Sequence, residues 1–526
     1  MNYKKVLLVL FVNVCIALGY YIDNRDASVL EISSDLANII PICKKLDNPA
    51  LYQNDLYLSD INDVKYYTPF YVETVRGFAQ LTHGDYLQAL NLLSFFSHIL
   101  YGVLWFFFFY TLRRDFLLAL AFSVFFRGIL WPPGGELLGI SSLWTIMPRT
   151  LFIALAPLPF LTYCYLKKYR MAVSGLILGL LLNFHPISGV GLLVVCAAAF
   201  VAYRGFEEKK LSLAMWRDLI VAGVFFGIGM MPYLLTYTTN IKVDLQYSQA
   251  LYNEAFLQRI SGSFLDPMIF IPAWSRPITF FLLIPFLGYY FFDRSEGKRN
   301  FKILLFTILV LFIAANSFVY VESAANRLLH KNIRMAFQLI RIQKLLLVLL
   351  QIGLYLFIVE LFSRFAVKEL YKRIAVIGFF VFLSLSSLPL FAKIPVLGDD
   401  LMTNIYPSTL KVSNPDELGR NSDISHMIDY IKQHTPKDAV FYGSFYIRAG
   451  ADRSVVLDGK GAGMLIEGNA NKFVQWYLDI QKLKTMGPEQ KIAFLKSKKV
   501  SYVVTDKIEP GMILVNKIGA VYLFKI

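Results

Sequence analysis

The sequence predicts a polytopic α-helical membrane protein with about eleven transmembrane helices and a C-terminal soluble α/β domain. Three observations predict it. Hydrophobic residues make up 56% of the 526 positions and charged residues only 17%, with a mean hydropathy of +0.52; soluble domains carry about 25% charged residues. Apolar runs recur close to the roughly 20 residues that cross a hydrocarbon core of about 30 Å. Lysines and arginines fall in alternate connections between those runs, as expected of a chain oriented by its cytoplasmic charge.

The runs lie near residues 6–22, 89–112, 116–131, 149–166, 171–186, 189–203, 219–235, 277–292, 301–318, 345–362 and 374–391. With the N-terminus inside, Lys4 and Lys5 are cytoplasmic, followed by Arg113 and Arg114, then Lys167, Lys168 and Arg170. Arg204, Lys209, Lys210 and Arg217 come next, then Arg294, Lys298 and Arg299, then Arg364, Lys368, Lys372 and Arg373. Every expected inside loop is basic. The first run also reads as a signal peptide, but no A-x-A-like cleavage site follows it. Residues 1–391 form the expected membrane domain, with an outer loop at 23–88, and residues 392–526 an extracytoplasmic domain.

The formal charge of +15 is largely a product of this topology. The tail holds 18 basic and 14 acidic residues, a net +4, which leaves 34 against 23, a net +11, in the membrane part. Nucleic-acid binding has no support. Cys15, Cys43, Cys164 and Cys196 make no CxxC pair, so neither a metal-site spacing nor a disulfide framework is indicated.

The outer loop opens with Asp23-Asn24-Arg25-Asp26. Ser28 and Glu31 have capping-box spacing, which predicts a helix start. Val29, Ile32, Leu36, Ile39 and Ile40 then recur at helical period, with Pro41 near the expected stop. Thr68-Pro69 predicts a second helix, carrying Phe70, Glu73, Phe78 and Leu81 and ending at Gly84. A turn containing Asp55 lies between them. Carboxylates at a membrane surface either cap helices in water or serve as bases and cation ligands; Asp23, Asp26, Asp55 and Glu73 are the candidates.

Other polar residues stand at span ends. Arg127 lies inside the third run, at a depth where charges face a cavity or a partner. Glu136 and Arg149 follow Trp131-Pro132-Pro133-Gly134-Gly135 at one level, either paired with each other or available to a ligand. His185-Pro186 ends the fifth run, and Gly189 allows close helix approach. Between Glu322 and Lys344 the expected outer connection breaks the charge rule, with Arg327, Lys331, Arg334, Arg341 and Lys344 against one acid. Arg327, Lys331 and Arg334 share a helix face by spacing. Either the orientation is misassigned here, or such an outer basic segment contacts lipid headgroups or a lipid-linked phosphate, which arginine grips through a two-pronged fork.

The tail alternates predicted helices (424–431, 473–483, 489–498) with predicted strands (439–442, 454–457, 502–504, 513–515, 520–524). Gly459-Lys460-Gly461-Ala462-Gly463 lacks phosphate-loop spacing and reads as a loop. Arg448, Arg453 and Lys460, near Trp476, read either as contacts to a sugar or phosphate or, by preference, as a solvated surface.

This arrangement resembles the GT-C superfamily of polytopic glycosyltransferases, which includes oligosaccharyltransferases, protein O-mannosyltransferases and lipid A aminoarabinose transferases. His185-Pro186 and Gln338-Leu339-Ile340-Arg341 are similar to short motifs of bacterial members. The Asp-Glu pair of many members is replaced here by Asp23-Asn24-Arg25-Asp26. The resemblance implies sugar transfer from a polyprenyl-phosphate donor to an acceptor at the outer face of a bacterial inner membrane. It further implies that Asp26 or Asp23 acts as base or holds a divalent cation. Arg341, with Arg334 or Arg327, would stabilise the leaving phosphate, and Arg149 and His185 would line the site. A flippase or transporter of lipid-linked saccharides and a non-catalytic subunit of the same fold are the rival readings; no internal repeat of the transporter kind is found.

Overall fold

The computed structural model describes residues 2–131, 135–208, 212–240, 245–260, 262–329, 335–394, 404–413 and 422–526. The chain divides into two compact units. One comprises Met1–Arg25, Asn91–Pro232 and Gly262–Pro415, the other Asp26–Leu90, Tyr233–Ser261 and Asp416–Ile526.

The first unit is helical. Among the described residues, six helices of the chain are long and apolar enough to cross a membrane. They are Tyr3–Asp23, Tyr86–Leu112, Pro186–Glu207, Leu213–Tyr237, Glu296–Leu328 and Ala336–Arg364. The pair Pro267–Ala273 and Pro277–Phe292, bent by 80°, adds a seventh if taken as one span. Other runs expected to cross as single helices are shorter or broken, for local reasons. The run at 149–166 divides into Pro148–Leu155 and Leu158–Tyr165 around Pro157, which has no N–H to donate. The Ile153 carbonyl, which would have met residue 157, accepts Ala156 N–H at 3.3 Å instead and also the indole N–H of Trp105 at 3.0 Å. The run at 116–131 is helical only over Phe116–Phe125, then tightens into a 3₁₀ turn, Phe126–Gly128. It leaves as strand β1 (Leu130–Trp131), paired antiparallel with β2 (Glu136–Leu137).

Arg127, in that 3₁₀ turn, is fully buried. Its guanidinium donates to His98 Nδ1 at 3.0 Å, to the His98 carbonyl at 3.1 Å and to Asn13 Oδ1. His98 Nε2 meets the Ser141 carbonyl at 3.0 Å. A carbonyl only accepts, so Nε2 carries the ring proton and Nδ1 is left to accept from Arg127. Tyr20 stacks on the imidazole with centroids 4.3 Å apart. The network fixes the chain on both sides of the hairpin, at residue 127 before β1 and residue 141 after β2.

The second unit contains the first loop from Asp26 on, the segment Tyr233–Ser261 and the tail from Asp416 on. The tail forms a five-stranded sheet of β3 (Val440–Tyr442), β4 (Ser454–Val456), β5 (Tyr502–Thr505), β6 (Ile513–Ile518) and β7 (Val521–Lys525), in the order β4-β3-β5-β7-β6. β3 runs parallel to β4 and β5, while β7 runs antiparallel to β5 and β6. These strands, and the helices Asp423–His434, Ala470–Thr485 and Pro488–Ser497, occupy the segments expected from sequence.

Four local expectations are corrected. The Ser28/Glu31 capping box forms, with Ser28 N–H on Glu31 Oε2 at 2.6 Å, but it closes only a 3₁₀ turn; the α-helix starts at Leu36. That helix runs through Pro41 to Asp47. Burial of Ile39, Ile40, Ile42 and Cys43, each at most 1% exposed, outweighs the backbone hydrogen bond that Pro41 cannot make. Gly459–Ala462 is a helical turn capped by Asp458, not a loop. Arg448 and Arg453 are buried rather than solvated. Arg448 bridges Asp55 at 2.6 Å and Asp458 at 2.7 Å, and Arg453 holds the carbonyls of Ala451, Lys432 and Thr435.

Candidate functional site

The polar cluster of the helical unit is built on the β1–β2 hairpin. Trp131 pairs in register with Glu136, so the two flank the turn. Gly135, at φ +60°, takes a backbone conformation that few L side chains tolerate. Gly139 lies so close to the Arg127 carbonyl that any Cβ there would overlap it. The hairpin is thereby pressed onto the Arg127 clamp, and Glu136 is held in place.

Two arginines meet this carboxylate. Arg149, in the first turn of Pro148–Leu155, places Nη1 3.4 Å from Glu136 Oε2. Arg341 comes from the 3₁₀ turn Ile340–Lys344 and places Nη2 3.0 Å from Glu136 Oε1. It also donates to Gln338 Oε1 at 3.2 Å, and its guanidinium lies 5.2 Å from the centre of the Phe264 ring. Phe264 packs on Phe270, and Phe270 stacks on Trp131, giving the cluster an aromatic wall. The side chains of Arg149, Glu136 and Arg341 are 11%, 25% and 26% exposed, so they remain within reach of a ligand.

The turn that carries Arg341 is itself anchored. Gln343 is buried, accepting from Trp274 Nε1 at 3.0 Å and donating to Asn316 Oδ1 at 3.0 Å. At Gly191, an added Cβ would come within 2.8 Å of Leu345 and 3.0 Å of Ile342, so the turn sits directly on that helix. In a 3₁₀ turn, positions three apart eclipse, which sets Lys344 on the same face as Arg341. His185 accepts the Ser188 N–H at Nδ1, 3.1 Å away, and feels the charges of Lys344, Arg149 and Arg341. Among the described residues, the neighbourhood therefore gathers three cations, one carboxylate and one imidazole. Such a set attracts a phosphate through charge-assisted hydrogen bonds.

The other candidate residues stand as follows. Asp23 accepts the N–H groups of Ser408 at 2.6 Å and Thr409 at 3.1 Å, capping the 3₁₀ turn Ser408–Leu410. Asp55 is fully buried against Arg448 and also accepts Val455 N–H at 2.8 Å. Both carboxylate oxygens of Glu73 accept from Arg76, at 2.8 and 2.9 Å. Asp26 is exposed, and among the described residues it has no hydrogen bond or ion pair. Arg327 is exposed in the last turn of Arg299–Leu329. Arg334, with His330 and Lys331, lies outside the described residues. No group of three metal-ligating side chains occurs among the described residues, so they assemble no divalent-cation site around Asp26.

The pairing of Glu136 with Arg149 that the sequence offered is present, and Lys344, one of the basic residues between Glu322 and Lys344, joins Arg149, His185 and Arg341 in the cluster. What the sequence did not give is that Arg341, 205 residues further along, shares the Glu136 carboxylate.

No family model matches the sequence, and no curated protein matches it. Among solved structures, the chain is similar to the crystal structure of ArnT from Cupriavidus metallidurans bound to undecaprenyl phosphate. The match has a TM-score of 0.50 at 14% identity and covers 98% of this chain and 97% of that one. The fold is GT-C-like. At this identity the likeness is one of architecture, and it extends over the membrane helices and the C-terminal sheet together.

Proposed function

We propose that this membrane protein is a glycosyltransferase that moves a sugar from a polyprenyl-phosphate donor to an acceptor hydroxyl at the outer face of the membrane. The Arg149–Glu136–Arg341 cluster is the observation that carries the reading. Two guanidinium forks beside an aromatic wall suit a phosphate esterified to an apolar chain, since the forks take oxygens and the wall takes hydrocarbon. The GT-C-like fold supports it, as does the undecaprenyl phosphate bound by the ArnT neighbour.

In the proposed reaction the acceptor oxygen attacks the anomeric carbon from the side opposite the phosphate. The bond from that carbon to the phosphate oxygen breaks with its electron pair, the polyprenyl phosphate leaves, and configuration inverts. Arg341 and Arg149 stabilise the charge that collects on the leaving phosphate; preorganised donors of this kind contribute about 3 kcal/mol each. Asp26 takes the hydroxyl proton. Among the described residues it is the one of the four candidate loop acids with no hydrogen bond or ion pair, whereas Asp23, Asp55 and Glu73 are engaged in a cap and in ion pairs.

Two measurements on the purified full-length protein test this. Arg341→Ala is expected to weaken undecaprenyl phosphate binding at least tenfold. Asp26→Asn is expected to leave that binding unchanged while abolishing glycan production in a strain that depends on the protein. Unchanged lipid binding in the first variant, or full production in the second, overturns the corresponding role.

A further inference from the structure

A second cluster, in the unit that contains the tail, has a different chemistry. Tyr66 and Tyr237 stand at 90° with ring centroids 5.9 Å apart, and Tyr66 and Tyr67 also stand at 90°, 6.5 Å apart. Tyr233 lies 5.6 Å from Tyr237. Tyr66 and Tyr237 thus meet edge to face, while Tyr233 and Tyr237 are tilted by 34°, so the three rings face different directions and do not form one stack. Glu467 lies beside them: a Cβ added at the adjoining Gly468 would stand 3.0 Å from the Tyr66 ring, and the glutamate charge bears on Tyr66, Tyr233 and Tyr237. Two hydrogen bonds anchor the segment before Glu467: Tyr66 donates its hydroxyl to the Met464 carbonyl at 3.1 Å, and Tyr252 donates to the Ile466 carbonyl at 3.3 Å. Gly468 packs against the Asp63 carbonyl so closely that a Cβ would overlap it, drawing the preceding glutamate toward Tyr66.

The carboxyl of Glu467 has no hydrogen bond or ion pair among the described residues, although its side chain is only half-buried. The nearest lysine along the described chain, Lys472, is taken by Asp63 at 2.7 Å. Without a cation, burial alone pushes the Glu467 carboxyl up to about 7. Aromatic faces and a carboxylate share one sign of potential, and a cation is what they lack in common.

We propose that Tyr66, Tyr233, Tyr237 and Glu467 form a cage for an organic ammonium group, that of a phosphatidylethanolamine headgroup. The lipid source is favoured by position. Tyr233 and Tyr237 close the apolar stretch Leu213–Tyr237, and tyrosines at the end of such a stretch sit at headgroup level. An ammonium there would stand over the ring faces and pair with the carboxylate, while the lipid phosphate remained outside in water. The site is independent of the sugar-transfer reading.

The test uses the full-length protein in detergent micelles doped with dioleoyl phosphatidylethanolamine or, separately, dioleoyl phosphatidylglycerol, with retained lipid read by native mass spectrometry. Selective retention of the ethanolamine lipid is expected, at least tenfold weaker in Glu467→Gln and Tyr237→Ala. Tyr237→Phe, which keeps the ring, retains the lipid and covers the case of a misfolded alanine variant. Tetramethylammonium chloride competes, because the recognised part is the cation. Equal retention of both lipids, wild-type retention by Glu467→Gln, or failure of tetramethylammonium to compete overturns the cage. Binding of soluble phosphoethanolamine as tightly as the lipid overturns the lipid source.

Discussion

Arg341 donates to Glu136 Oε1 at 3.0 Å, joining positions 205 residues apart in the chain. The same carboxylate faces Arg149 at 3.4 Å, so one acid separates two guanidinium groups that would otherwise repel. In the proposed transferase, Glu136 keeps the forks together until a phosphate arrives, then competes with that phosphate for them.

Removing this competition has a measurable sign. Glu136→Gln keeps the shape of the side chain but withdraws its charge. Undecaprenyl phosphate is expected to bind about tenfold more tightly, close to 1.4 kcal/mol. Weaker binding in this variant would show that Glu136 positions the arginines and that its competition with phosphate is negligible.

The carboxylates of the first loop separate by stability. Asp55 and Arg448 are both fully buried, so Asp55→Asn leaves a buried guanidinium with one partner fewer. The expected cost is about 3 kcal/mol. Asp26 is exposed and unpaired among the described residues, so Asp26→Asn should stay within about 0.5 kcal/mol of wild type. Thermal unfolding of the two purified variants in one detergent checks both. A stable Asp55→Asn variant with lost transfer would return Asp55 to the list of catalytic acids.

Thr68 carries a backbone cost. Its φ of 42° and ψ of 59° lie in the left-handed region, unusual for a β-branched residue, and its buried hydroxyl has no partner among the described residues. The position before Pro69 is nevertheless the start of the helix Pro69–Leu81. Thr68→Gly relieves both penalties and is expected to raise stability by about 1 kcal/mol. A fall in the unfolding temperature would mean that packing of the threonine methyl outweighs the strain.

How much of this was legible in the sequence depended on the range of each interaction. The breach of the charge rule brought out Arg341, and the tail's strands were readable because alternation is local. Arg448 looked like a surface residue because its partner Asp55 lies 393 positions away, and no spacing rule reaches that far. The Ser28–Glu31 capping box was genuine, but a cap cannot say whether three residues or twelve will follow. Pro41 looked like a helix stop because its missing hydrogen bond is visible in sequence, whereas the burial of Ile39 and Ile42 that outweighs it is tertiary. Glu467 escaped notice for a related reason: what marks it is the company it keeps, three tyrosines and no described cation.

That company gives Glu467 a pH signature. Its carboxyl is pushed from an ordinary value of 4.5 up to about 7 by burial. Between these values the folded protein holds the proton and the unfolded chain does not, so the folded state binds more protons. Stability from this group is therefore present below about 4.5 and is lost as pH rises through about 7. Melting temperatures of the wild-type protein and Glu467→Gln, measured from pH 5 to pH 8 in one detergent, isolate the effect. The wild type should lose stability across this interval relative to the glutamine variant, which has no proton to release there. Parallel curves would mean that the carboxyl titrates as an ordinary surface glutamate, and the enclosure of Glu467 by Tyr66, Tyr233 and Tyr237 would then be too loose to exclude water.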